Sequence, residues 1–164
     1  MKEYQVERLV TYEAERLFDL IADVERYPEF LPGWKEARVH HREPDAYHTQ
    51  QTLQLGPVRV DCATRTALHR PTRIEVVSRE WPFRELRLVW RLEPLDEAGC
   101  RLRLHARVDC SMVVLRLVLD RMLPALVQDI VNSFERRARQ LYGPPAKARP
   151  VGSTPDNPVG SNPE

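Results

Sequence analysis

The sequence predicts an α+β fold: a seven-stranded antiparallel sheet curled around one long C-terminal helix. Three observations carry it. A period-two pattern runs from residue 34 to 110, broken only by turn residues. A short amphipathic helix stands in front of it, and a long helical pattern follows at 113–141.

Residues 3–11 read as the first strand, with Tyr4, Val6 and Val10 on one parity. A helix is predicted over 14–24, because Leu17, Phe18, Leu20, Ile21 and Val24 recur at helical spacing while Glu15, Asp19 and Asp23 share the wet face. Next comes a stiff elbow. Pro28 and Pro32 bracket Phe30 and Leu31, and proline fixes its own φ and biases the residue before it. An apolar elbow of this kind is expected at the rim of a pocket.

Strands follow at 35–42, 46–55, 58–69, 72–79, 84–93 and 100–110, separated by Glu43-Pro44-Asp45, Gly56-Pro57, Arg70-Pro71, Trp81-Pro82 and Asp96-Glu97-Ala98-Gly99. Connections this short make the neighbours antiparallel. Cys62, Thr64, Thr66 and Leu68 share one parity, as do Leu86, Leu88, Trp90 and Leu92, and Leu102, Leu104, Ala106 and Val108. The opposite parity carries Arg65, Arg73, Arg87, Arg91, Arg101, Arg103 and Arg107, so the sheet has one dry and one wet face. The final helix must cover the dry face. Pro124 is expected to kink or restart it, and Gly143-Pro144-Pro145 to end it. A helix ~10 Å wide cannot fill so broad a curl, which predicts an interior cavity.

Composition narrows the function classes. From Gly143 onward the chain holds six prolines, three glycines and no aromatic residue, so residues 1–142 are expected to form one domain and 143–164 a disordered tail. The net charge of +1 supplies no general drive toward nucleic acid, and no DNA partner is expected. Cys62, Cys100 and Cys110 suit neither a disulfide framework nor a zinc knuckle, and no cofactor is implied. A strand pattern begins almost at Met1, without the signature of a leader. The expected location is the cytoplasm, with room for peripheral contact at the inner membrane.

Leu17-Phe18-Asp19-Leu20-Ile21-Ala22-Asp23-Val24-Glu25-Arg26-Tyr27-Pro28-Glu29-Phe30-Leu31-Pro32, then Pro82-Phe83-Arg84 with Trp90-Arg91-Leu92-Glu93-Pro94, then Phe134-Glu135-Arg136-Arg137-Ala138, form three blocks in order. Together they resemble the START-like (helix-grip, polyketide cyclase/dehydrase-type) superfamily. Within it the chain is most similar to the coenzyme Q-binding START proteins and the bacterial ribosome-association toxin group. Trp81 and Pro124 depart from that pattern. The resemblance implies a helix-grip fold and non-catalytic binding of a quinone or polyprenyl lipid. Its alternatives are a ribosome-associated regulator using the arginine face and an aromatase/cyclase-like enzyme.

The candidate ligand-binding residues are Phe30, Leu31, Trp34, Trp90, Leu92, Leu123, Leu126 and Ile130 as apolar wall, with Thr64 and Thr66 as polar contacts. Burial of an oily chain would contribute ~25 cal/mol per Å². His48 or Gln50 are further inward candidates, and no inward arginine, carboxylate pair or nucleophile set is expected. His40, His41 and His48 meet at the first hairpin without a carboxylate or cysteine to complete a metal site. Glu15, Asp19 and Asp23 read as a solvated face with Arg16 and Arg26 as counter-charges. The outer arginines are expected to pair with Asp61, Glu75, Glu85 and Asp109. Arg136, Arg137 and Arg139 suit the negative end of the last helix.

Overall fold

A computed structural model describes residues 1–96 and 99–144. The elements are β1 (Lys2–Val10), α1 (Ala14–Ala22), a 3-10 turn (Val24–Glu29), β2 (Trp34–Glu43), β3 (Ala46–Leu55), β4 (Val58–His69), β5 (Arg73–Ser78), β6 (Phe83–Leu95), β7 (Gly99–Cys110) and α2 (Val113–Tyr142). All seven strands form one antiparallel sheet in the order β1-β7-β6-β5-β4-β3-β2. The predicted architecture is observed. The predicted tail lies, from residue 145 on, outside the described residues.

The strands alternate as their side chains dictate. In β7, Cys100, Leu102, Leu104, Ala106, Val108 and Cys110 are buried while the arginines between them are half-exposed. The buried stripe of α2 recurs every four residues through Leu115, Leu119, Leu123, Val127 and Val131, and it lies on this dry face beside β7 and β1. Together they form one continuous core, joined by Leu17, Phe18 and Ile21 of α1.

Two backbone expectations are corrected. The first helix stops at Ala22, because Asp23 leaves helical geometry (φ −86°, ψ 66°) and the chain tightens into the 3-10 turn. The last helix runs on through Pro124 and does not restart there. Pro124 and Asp120, whose carbonyl loses its helical partner, are both solvent-exposed, so water can satisfy that carbonyl.

One glycine is required by geometry. Gly33 takes φ +86°, its carbonyl accepts from Gln54 N–H at 2.7 Å, and a Cβ there would stand 2.7 Å from the Gln54 carbonyl oxygen. This close approach seats the elbow against β3.

Candidate functional site

Between the curled sheet and α2 lies an apolar cavity with about 110 Å³ open to the centres of water-sized molecules, or about 990 Å³ with all space to its mouth included. The first figure is the resting void. The sheet wall comes from β3 to β7, including Gln51, Thr64, Ile74, Leu88, Trp90, Leu104 and Ala106. The helix wall is Leu119, Leu123, Leu126, Val127, Ile130 and Phe134, and the elbow adds Val24, Tyr27, Leu31 and Trp34.

Eight of the ten predicted residues stand in this wall: Leu31, Trp34, Thr64, Thr66, Trp90, Leu123, Leu126 and Ile130. Phe30 and Leu92 do not. The 3-10 turn rotates Tyr27 and Leu31 inward and leaves Phe30 outside, stacked edge-on against Phe134 (5.3 Å) with the Arg137 guanidinium 5.3 Å from its ring. Leu92 is buried in the core beyond the cavity's end, where α1 packs across β5 and β6.

A polar strip runs along and behind the cavity wall. Trp34 Nε1–H donates to Gln51 Oε1 (2.9 Å), Gln51 Nε2 donates to Thr49 Oγ1 (2.9 Å) and Thr64 Oγ1 (3.3 Å), and the two threonine hydroxyls share a 2.6 Å hydrogen bond. The expected inward residues His48 and Gln50 are on the other face. The pairing Tyr47↔Thr66, Thr49↔Thr64 and Gln51↔Cys62 turns the odd-numbered positions of β3 inward. The run Tyr47, Thr49, Gln51, Leu53, Leu55 carried that signal, obscured by polar residues on both parities.

Two tyrosines, Tyr27 and Tyr47, tie the elbow down: their hydroxyls donate to the carbonyls of Ile21 and Ala22, the latter at 2.8 Å. Burial holds the Tyr27 hydroxyl well above its usual range and pushes Tyr47 up to about 12. Burial likewise raises the cavity-lining Cys62 thiol to about 11. No His, Asp, Glu, Lys or Arg lines the cavity among the described residues, so its titratable groups are neutral near pH 7. Such a wall can desolvate and orient a ligand.

Outside the cavity, several readings change. Arg8 has the inward parity of β1 but lies outside the cavity lining. It reaches across the edge to α2, donating to Gln128 (2.6 Å), Asn132 and Glu135 (3.1 Å). At the first hairpin a carboxylate is present after all, since Glu43 lies 3.7 Å from His41 and 3.6 Å from His48. Arg65 occupies it at 3.2 Å and holds its carboxyl below the usual range, and no metal cluster forms among the described residues.

Just past α1, Asp23 pairs with Arg26 as expected, but Asp19 on α1 takes Arg70 rather than Arg16. On the arginine face Glu75 pairs with Arg73 and Arg87, whereas the other partners are Glu43, Glu7 and Glu93 rather than Asp61, Glu85 and Asp109. Arg91 has no carboxylate within 4.0 Å among the described residues, and it stands directly between Arg73 and Arg103. At the end of α2, Arg137 clamps Glu29 of the elbow at 2.8 Å. No helix of the described residues is long and apolar enough to cross a membrane.

Comparison with known proteins follows this geometry. The profile of the polyketide cyclase/dehydrase and lipid transport family matches residues 10–135. The chain is 32% identical over 143 residues to a ribosome association toxin, RatA, of Vibrio cholerae, covering 87% of this chain and 99% of that one. It is 33% identical over 135 residues to the protein of the same name in Pseudomonas aeruginosa, covering 82% and 94%. Among solved structures, the 18 kDa protein CC1736 of Caulobacter crescentus superposes with a TM-score of 0.72 at 24% identity, covering 88% and 100%. The Zhui aromatase/cyclase of Streptomyces sp. R1128 superposes with 0.77 at 14% identity, covering 85% and 95%. A START superfamily protein of Mycobacterium smegmatis shares the same helix-grip fold, with a TM-score of 0.69 at 17% identity, covering 85% and 98%.

Proposed function

The chain belongs to the polyketide cyclase/dehydrase and lipid transport family, and on that footing we propose that it is a non-catalytic binding protein for a hydrophobic small molecule. The observation that carries this reading is the apolar hollow under α2, with its Trp34–Gln51–Thr49–Thr64 hydrogen-bonded strip. The ligand class is a quinone or polyprenyl lipid. A flat ring would lie among Tyr27, Trp90 and Phe134, and its oxygens would accept from the Gln51 amide and Thr64 hydroxyl, exchanging partners those groups now find in each other. A void of about 110 Å³ is smaller than the roughly 150 Å³ that takes up a benzene, so a ring enters only as α2 yields outward, with the tail leaving through the mouth. The protein then works in the cytoplasm as a carrier or chaperone, in contact with the membrane that stores its ligand.

Native mass spectrometry of freshly purified protein tests this. The expected result is a bound lipid mass, with a short-chain quinone quenching the emission of Trp34 and Trp90 saturably. Absence of both would overturn the reading.

A second reading rests on the similarity to ribosome association toxins, over 87% and 82% of this chain. There the cross-strand row Arg73–Arg91–Arg103 would meet RNA phosphates. Salt-sensitive co-sedimentation with ribosomal subunits, lost in Arg91→Glu/Arg103→Glu, is its expected signature; salt-insensitive or unaltered sedimentation would discard it.

A further inference from the structure

The N-terminal half of α2 is apolar on its outside as well as its inside. From Val113 to Leu126 only Arg116, Asp120 and Arg121 are polar, whereas the half from Val127 to Tyr142 carries the charges expected of a surface helix. A helix apolar all round belongs in a buried setting. Yet Val113 is 56% exposed, Val114 55%, Leu117 59% and Met122 43%.

The exposed residues continue onto the sheet. Trp81, 66% exposed, sits in the β5–β6 turn, and the next residue's carbonyl (Pro82) accepts from Ser111 N–H at 2.8 Å, just before α2 begins. On the other flank, Gly56 of the β3–β4 turn lies beneath Met122 and Val118. Trp81, Val113, Val114, Leu117 and Met122 therefore share one end of the molecule. Leu119 and Leu123, on the opposite side of the same turns, line the cavity.

Charge selects the partner. On the same segments Arg79, Arg84, Arg116 and Arg121 are exposed, with no carboxylate within 4.0 Å among the described residues, against the exposed carboxylates Glu80 and Asp120. Aliphatic side chains at the centre, an indole at the edge and arginines around them match a bilayer interface. Hydrocarbon takes the first, the carbonyl region the second and phosphates the third.

We propose that this end of the protein is a docking surface for an anionic lipid bilayer. Its purpose rests on the carrier reading, since docking there sets the half of α2 whose inner side, Leu119 and Leu123, lines the cavity against the membrane that would supply an oily ligand. The surface itself rests on exposure and charge alone.

The test uses the full chain and vesicles of phosphatidylcholine with or without phosphatidylglycerol. The expected result is co-sedimentation with the anionic vesicles, a blue shift of tryptophan emission and quenching by bromine-labelled acyl chains that disappears in Trp81→Phe. Val114→Glu/Leu117→Glu alters only exposed positions and lowers the bound fraction about tenfold or more at unchanged Tm. A milder Leu117→Gln gives a smaller loss in the same direction.

No binding to either vesicle overturns the proposal, as does equal binding by the double variant. A dimer that the double variant dissociates, without vesicle binding, assigns the face to self-association and also overturns it. Vesicle binding by protein that never carries a ligand leaves this surface standing and removes the carrier reading. Ligand capture without vesicle binding does the reverse.

Discussion

Replacing Ala106 by leucine puts a number on the hollow. Ala106 is fully buried on β7, lines the cavity and faces Leu88 across the β6–β7 ladder. The empty void of about 110 Å³ costs the unliganded protein about 2.6 kcal/mol at ~24 cal/mol per Å³. Leucine adds three carbons there, each contributing ~0.8 kcal/mol on burial, and crowding against Leu88 and Trp90 takes part of that back. The expected net gain is about 1–2 kcal/mol, a rise in Tm of about 3–8 °C. The same atoms fill the ligand's space. Wild-type protein gains ~2.7 kcal/mol from a ligand at a hundred times its Kd, and Ala106→Leu gains nothing. Calorimetry with and without a short-chain quinone reads both effects. Destabilisation by more than about 1 kcal/mol would mean that the space is already filled, and a retained ligand shift would mean that binding happens elsewhere.

Three further outcomes follow from individual contacts. Arg8→Met removes the tie from β1 to Gln128, Asn132 and Glu135 and should cost about 1–2 kcal/mol in urea unfolding, since the site is only half-buried; an unchanged midpoint would refute a structural role for the tie. Gly33→Ala combines left-handed strain with a 2.7 Å approach to the Gln54 carbonyl and should cost at least about 2 kcal/mol, so a neutral result would contradict the geometry. Tyr47 is held up to about 12 by burial, so the folded state keeps its proton more tightly than the unfolded chain. Its contribution is therefore complete below pH ~10 and drains away between ~10 and ~12, by a few kcal/mol at most, and Tyr47→Phe should flatten that alkaline limb in pH-dependent unfolding; an unaltered limb would count against it.

The strands β4, β6 and β7 were legible because arginine alternates with aliphatic residues, leaving one choice of face. Strand β3 was not, since His48, Thr49, Gln50 and Gln51 are all polar and only the register against β4 decides which point inward. The cavity itself followed from the mismatch between sheet breadth and helix width. Its elbow wall did not, because a 3-10 turn rotates side chains by an amount that prolines in a sequence do not specify, and Tyr27 took the place expected for Phe30. Arg8 escaped notice for a related reason. An edge strand's inward position becomes suitable for a cation only when the helix above it presents Gln128, Asn132 and Glu135 there.

The two halves of α2 are held by different forces, and this decides where the protein opens. The C-terminal half carries the polar ties: Arg8 to Glu135, Arg137 to Glu29, and the Tyr142 hydroxyl to the Arg16 carbonyl at 3.2 Å. Among the described residues no side-chain hydrogen bond or ion pair involves 113–126, and Pro124 removes one rung of the helical ladder. Apolar packing over a partly empty cavity is all that seats this half, and it resists opening less than packing over a filled one. Hydrogen exchange should therefore be faster at the amides of 113–126 than at 128–140, and a bound ligand should slow the first set selectively by completing the packing beneath it. Uniform exchange along α2, or protection appearing first at the C-terminal half, would place the opening elsewhere and separate the helix from any part in admitting a ligand.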